Sequence, residues 1–174
     1  MWDLDSGREL RTLKGHTAYV NAVAVSPDGR RAVSASDDHT LKVWDLDSGQ
    51  ELRTLEGHTR SVKAVAVTPD GRRAVSASLD HTLKVWDLDS GRELRTLQGH
   101  TSFFHAVAVT PDGRCAVSAS EDHTVKLWDL DTGTVLTTFT CDSAALCCAC
   151  TPGGRILAGD QGGHLHLLAL QPRR

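Results

Sequence analysis

Short runs of apolar and β-branched residues follow one another along this chain, each cut by Gly, Pro, Asp or Ser after roughly ten residues, the rhythm of β-strands joined by tight turns. Val20-Asn21-Ala22-Val23-Ala24-Val25 predicts a first strand, a, which ends at the turn signal Ser26-Pro27-Asp28-Gly29. Arg31 to Ser36 predicts strand b, and Asp37-Asp38-His39 a tight turn. Thr40 to Leu46 alternates apolar and polar residues and predicts a half-buried strand c. Asp47-Ser48-Gly49 then turns the chain into Glu51 to Leu55, strand d. Turns this frequent exclude a helical solenoid.

The same four-strand pattern returns along the chain. Trp-Asp pairs stand at Trp2-Asp3, Trp44-Asp45, Trp86-Asp87 and Trp128-Asp129, each 42 residues after the last. A period of this length, with Gly-His ahead and Trp-Asp at the end of strand c, is what a four-stranded propeller blade leaves in a sequence. The predicted fold is all-β, a β-propeller of four antiparallel blades in a single domain, residues 1–174. The blades fall at about 18–56, 60–98, 102–140 and 144–170. The last set stops after strand c, while the chain opens with the end of a strand c and a full strand d, residues 8–13. That leading strand can complete the last blade and close the ring, which would leave no open sheet edge. An open arc, two chains sharing an eight-bladed ring, and a piece of a longer array are the alternatives.

Gly15-His16, Ser26-Pro27-Asp28-Gly29, Val33-Ser34-Ala35-Ser36, Asp38-His39-Thr40 and Val43-Trp44-Asp45, in this order, resemble the WD-repeat β-propeller family. The match covers nearly the whole chain and is similar to WD-repeat regions at the C-termini of bacterial multidomain signalling proteins. The resemblance implies a hydrogen-bonded tetrad in each good copy: His16, Ser34, Asp38 and Trp44; His58, Ser76, Asp80 and Trp86; His100, Ser118, Asp122 and Trp128. The last copy departs from it. Cys141-Asp142 stands where Gly-His should recur, and Leu168 takes the Trp position.

Ser, His and Asp also compose a hydrolase triad. A nucleophile is needed once, in a cleft with an oxyanion site, whereas this set recurs three times beside a core Trp, so a structural role is expected and no catalytic residue is assigned. Five cysteines, four of them within Cys141 to Cys150, make a poor disulfide framework and are expected to be reduced. Cys147, Cys148 and Cys150 align with small apolar residues of the other copies, which predicts core packing. His164-Leu165-His166 places two imidazoles on one strand face, but without further ligands no metal is expected, and no cofactor. His39, His81 and His123 recur once per copy, which suits a turn role.

Net charge is −3 with 40% hydrophobic residues, which offers no basic excess for a nucleic-acid backbone and no apolar run for a membrane. The start of the chain has no signal-peptide pattern, so a cytoplasmic setting is expected. What remains is a surface. The turns between strands a and b are all Pro-Asp-Gly-Arg in the three good copies, whereas the d-a and b-c connections vary. In a propeller those connections share one rim. Tyr19, Asp37, Arg60, Lys63, Leu79, Phe103, His105 and Glu121 vary there and include the aromatic and Arg types that anchor interfaces. The expected function is a scaffold or sensor that binds a protein or peptide on this rim.

Overall fold

The computed structural model describes residues 2–169. Position 170, the predicted end of the last blade, lies outside them.

A short pair, β1 (Trp2–Asp3) and β2 (Arg8–Glu9), precedes four antiparallel sheets. The first sheet orders β3 (Val20–Val25), β4 (Arg31–Ser36), β5 (Leu41–Asp45) and β6 (Glu51–Leu55). The second orders β7 (Val62–Val67), β8 (Arg73–Ser78), β9 (Thr82–Asp87) and β10 (Glu93–Gln98). The third orders β11 (Phe104–Val109), β12 (Cys115–Ser120), β13 (Thr124–Asp129) and β14 (Val135–Thr140). The fourth has three strands, β15 (Ala145–Cys150), β16 (Arg155–Asp160) and β17 (Leu165–Ala169). Each sheet is a blade, and no helix occurs among the described residues.

Blades stack face to face. Val33, Ala35, Leu41, Val43 and Leu55 of the first meet Val62, Val65, Ala74, Trp86 and Leu88 of the second, and the second and third blades repeat the arrangement. Burial of this apolar area is the main favourable term in folding. β5 from Leu41 to Trp44 and β9 from Leu83 to Trp86 are buried on both faces, not half-buried as their alternation predicts, because the segment or blade before them and the blade after them both cover them. Lys42 and Lys84 are drawn in with them, and their ammonium groups reach Glu51 with Thr54 and Glu93 with Thr96 at 2.7–2.8 Å. The stems lie along apolar surface while the charged tips find partners.

The N-terminal strand does not complete the last blade. Of the strand d expected over residues 8–13 only Arg8–Glu9 is strand, where β2 pairs with β1, and among the described residues the fourth sheet keeps three strands. The segment after β2 instead lies against the first blade. Arg11 reaches the Asp47 carbonyl at 2.8 Å and runs along Gly49, as Arg53 reaches the Asp89 carbonyl and runs along Gly91. It thus takes the place of the outer strand of a blade ahead of the first, without that blade's inner strands. Val20, Val23 and Val25 are consequently 56%, 65% and 54% exposed, where their counterparts Val62 and Val65 are buried and Val67 is half-buried. At the other end Leu165 and Leu167 are 73% and 59% exposed. Among the described residues the blades form an arc with an apolar sheet face exposed at each end.

Candidate functional site

In the second blade, Trp86 Nε1 donates to Ser76 Oγ at 2.8 Å, His58 Nε2 lies 2.7 Å from the same oxygen, and His58 Nδ1 lies 2.7 Å from Asp80 Oδ2. The chain of donors runs one way. The carboxylate must accept from Nδ1–H, which leaves Nε2 to accept the Ser76 hydroxyl proton and the hydroxyl oxygen to accept the indole N–H. Asp80 also accepts from the Thr59 and Thr82 backbone N–H and from Thr82 Oγ1. The sets His16, Ser34, Asp38, Trp44 and His100, Ser118, Asp122, Trp128 have the same links at 2.7–2.8 Å. Burial alone would raise the three carboxyl groups, but hydrogen bonds from Thr and His outweigh it and hold all three below the usual range. His100 is lowered, chiefly by burial.

Each tetrad joins the d-a connection, strand b, the b-c turn and strand c, and so fixes one rim of its blade. Gly57 and Gly99 let the connection pass the indole edge, since a Cβ there would stand 3.3 and 3.1 Å from Trp86 and Trp128 Cη2. His39, His81 and His123 occupy the b-c turns at φ 71°, 65° and 64°, left-handed positions where His occurs more readily than β-branched residues. Backbone bonds then stitch the two connections: Asp37 N–H donates to the Tyr19 carbonyl, Leu79 to Ser61 and Glu121 to Phe103, all at 2.8–2.9 Å.

The variable residues therefore share one rim, but they differ in what they can offer. Tyr19 is 82% exposed, and Arg60 is exposed. Lys63 and Asp37 are tied together at 2.7 Å across the first and second blades, with Asn21 also donating to Asp37. The Lys63 and Asn21 hydrogen bonds lower Asp37 to about 2. The Phe103 ring packs at a tilt on His81, centroids 5.2 Å apart, and both Phe103 and Leu79 are half-buried. His105 lies 3.4 Å from Glu121, which also accepts from Ser102. Asn21, His81 and Ser102 belong with this set: Asn21 donates to the Val62 carbonyl and His81 meets Phe103 across blades, contacts visible only once blades are placed side by side, while Ser102 meets Glu121 within its own blade. Phe104 is buried, whereas its counterpart Val20 is exposed for want of a preceding blade.

On the opposite face the uniform turns are held by their own side chains. Thr68 Oγ1 donates to Asp70 and to the Arg73 carbonyl, and Asp87 accepts from Ser90 N–H and Oγ. Arg31 and Arg73 cross to the next blade, to Asp89 and Asp131 at 2.8 and 2.9 Å.

In the fourth blade the tetrad is absent. Cys148 and Cys150 pack toward the third blade, and burial pushes their thiols up to about 12 and about 11. Cys147 is exposed, against the expected core role, because strand a alternates and its other face is the bare end of the arc. Asp160 is enclosed by the two histidines that the sequence left without further ligands, with Cys141 close by.

Blades stacked about buried Trp-Ser-His-Asp chains define a β-propeller repeat protein. The family profile described as "WD domain, G-beta repeat" matches residues 7–45, 49–87 and 91–129, more than half of the chain, and the chain belongs to this WD-repeat family. It is 51% identical over 43 residues to nuclear distribution protein PAC1 of Arthroderma benhamiae, across 25% of this chain and 9% of that one. Lissencephaly-1 homolog 1 of Paramecium tetraurelia is 44% identical over 43 residues, 25% of this chain and 11% of its own. Apoptotic protease-activating factor 1 of Mus musculus is 40% identical over 43 residues, 25% of this chain and 3% of its own. The matched stretch thus spans between 3% and 11% of these relatives.

Proposed function

We propose that this chain is a protein-interaction module that seats a protein or peptide on the rim built from the d-a and b-c connections, and that it performs no catalysis. The observation that carries the reading is the pairing of tetrad-fixed backbone with individual side chains, Tyr19 and Arg60 exposed and Phe103 half-buried against His81. A pre-ordered surface loses little conformational freedom on binding, and aromatic and Arg anchors fit that use. Against hydrolysis stands the state of the serines. Ser76 and Ser118 are fully buried, and the oxygen that would attack a carbonyl already accepts an indole N–H. Against a nucleic-acid partner stand the net charge of −3 and the pairing of Arg31 and Arg73 with carboxylates. The free thiols suit a cytoplasmic setting. The test replaces Tyr19, Arg60 and Phe103 together with Ala and compares partner affinity with a control altered at Arg30 and Arg72 on the uniform face. A loss of about tenfold or more confined to the rim variant is expected from anchor residues. Unchanged affinity in the rim variant would remove the assignment.

A second reading concerns assembly. Inside the chain, the later face of each blade packs on the earlier face of the next, and the two bare ends of the arc are one face of each kind. Residues 8–13 lie where an outer strand belongs, and the last blade lacks one. Two chains joined head to tail would complete both, in an eight-bladed ring with twofold symmetry. Mass measurement in solution should give a dimer that Val23→Asp dissociates. A monomer at every concentration would exclude it.

A further inference from the structure

The fourth blade gathers a different set of side chains at the corner where the others keep their tetrad. Cys141 stands in the d-a connection, Asp160 at the end of β16 and His166 in β17, with donor atoms all within 4.8 Å of one another. We propose that Cys141, Asp160 and His166 bind a divalent cation of the zinc class. Thiolate, imidazole and carboxylate are the donors that zinc takes, whereas calcium and magnesium ask for oxygen alone.

The geometry is prepared for such an ion. Asp160 has a fully buried side chain, and its Oδ1 accepts the His164 backbone N–H at 2.9 Å. That bond aims Oδ2 into the cluster, 2.9 Å from His166 Nε2. Outer hydrogen bonds of this kind orient a carboxylate ligand. Phe139 braces the His166 ring at 5.1 Å. His164 Nδ1 lies 3.2 Å from the same Asp160 oxygen, and its ring is more exposed than that of His166. The three ligands come from three segments, so one cation would tie the d-a connection to strands b and c, which is the task of the His-Ser-Asp-Trp chain elsewhere. A cluster held by hydrogen bonds alone is the competing description.

Untagged, reduced protein should be titrated with Co2+ and then with Zn2+. The expected result is one Co2+ per chain with a thiolate-to-cobalt charge-transfer band that Zn2+ displaces, together with a higher melting temperature in Zn2+. Cys141→Ser should abolish the band, and His166→Gln should weaken binding about tenfold or more. Cys147→Ser should change neither. Metal-free melting curves establish that each variant folds. Absence of stoichiometric binding by the wild-type chain would overturn the proposal in favour of hydrogen bonds alone. A band that survives Cys141→Ser and vanishes with Cys147→Ser would overturn it in favour of the strand-a thiols.

Discussion

The second and fourth blades share three inner strands and the same bulge in strand a, yet their corners are held by different chemistry. In the second, a buried indole fills the space between blades and begins a chain of hydrogen bonds that ends on Asp80. In the fourth, Leu168 replaces the indole, and Asp160 draws in two imidazoles instead. A cavity of about 730 Å³, lined by Leu127, Phe139, Ile156 and Leu168 among others, opens between the third and fourth blades. The lesson is that the sheet survives replacement of its entire polar fastening, because strand pairing and apolar contact with the neighbouring blade carry the scaffold.

Removal of the indole should distinguish the two blades most clearly. Trp86→Ala should destabilise the chain by about 3–5 kcal/mol, and Leu168→Ala, at a half-buried site, by about 1 kcal/mol, as read from urea midpoints. Equal losses would mean that the tetrad blades are no better packed than the last. The b-c turns test the opposite claim, that backbone geometry is common to both. His81 and Gly163 hold equivalent left-handed positions at φ 65° and 85°. A change to Val at either should cost about 1–2 kcal/mol, while His81→Gly should cost far less. The smallest effect is set by pH. His100 is lowered by burial, so its folded state stays neutral while the unfolded chain takes up a proton. Its contribution is complete above an unfolded value near 6.5 and is lost as pH falls through the lower folded value. The urea midpoint should therefore drop below pH 6.5, with a shallower slope in His100→Gln. No change of slope would show that His100 does not titrate on unfolding.

Strand positions from Val20 onward, turn types and the three tetrads were legible in the chain, because local turn chemistry and a strict period specify them, whereas the leading strand expected over residues 8–13 is strand only at Arg8–Glu9. What depends on neighbours was not. Lys42 reads as a solvent-facing residue until Glu51 and Thr54 are brought beside it. The Asp37 to Lys63 pair crosses between blades and leaves no local trace. The cluster at Asp160 was hidden by a change of spacing. Counting 42 residues from the tetrad Ser118 lands on Asp160, whereas the sheet register sets Asp160 opposite Ala145 as Ser120 is set opposite Phe104. The last copy is shorter, and only strand pairing shows which residues correspond.

The backbone bonds from Asp37 to Tyr19, Leu79 to Ser61 and Glu121 to Phe103 are the same although the side chains differ from blade to blade. Main-chain geometry at these sites is thus independent of the letters written on it. A combinatorial library randomised at those six positions would vary chemistry over a fixed grid, and each selected side chain could be moved from one blade to the next without redesigning the loop that carries it.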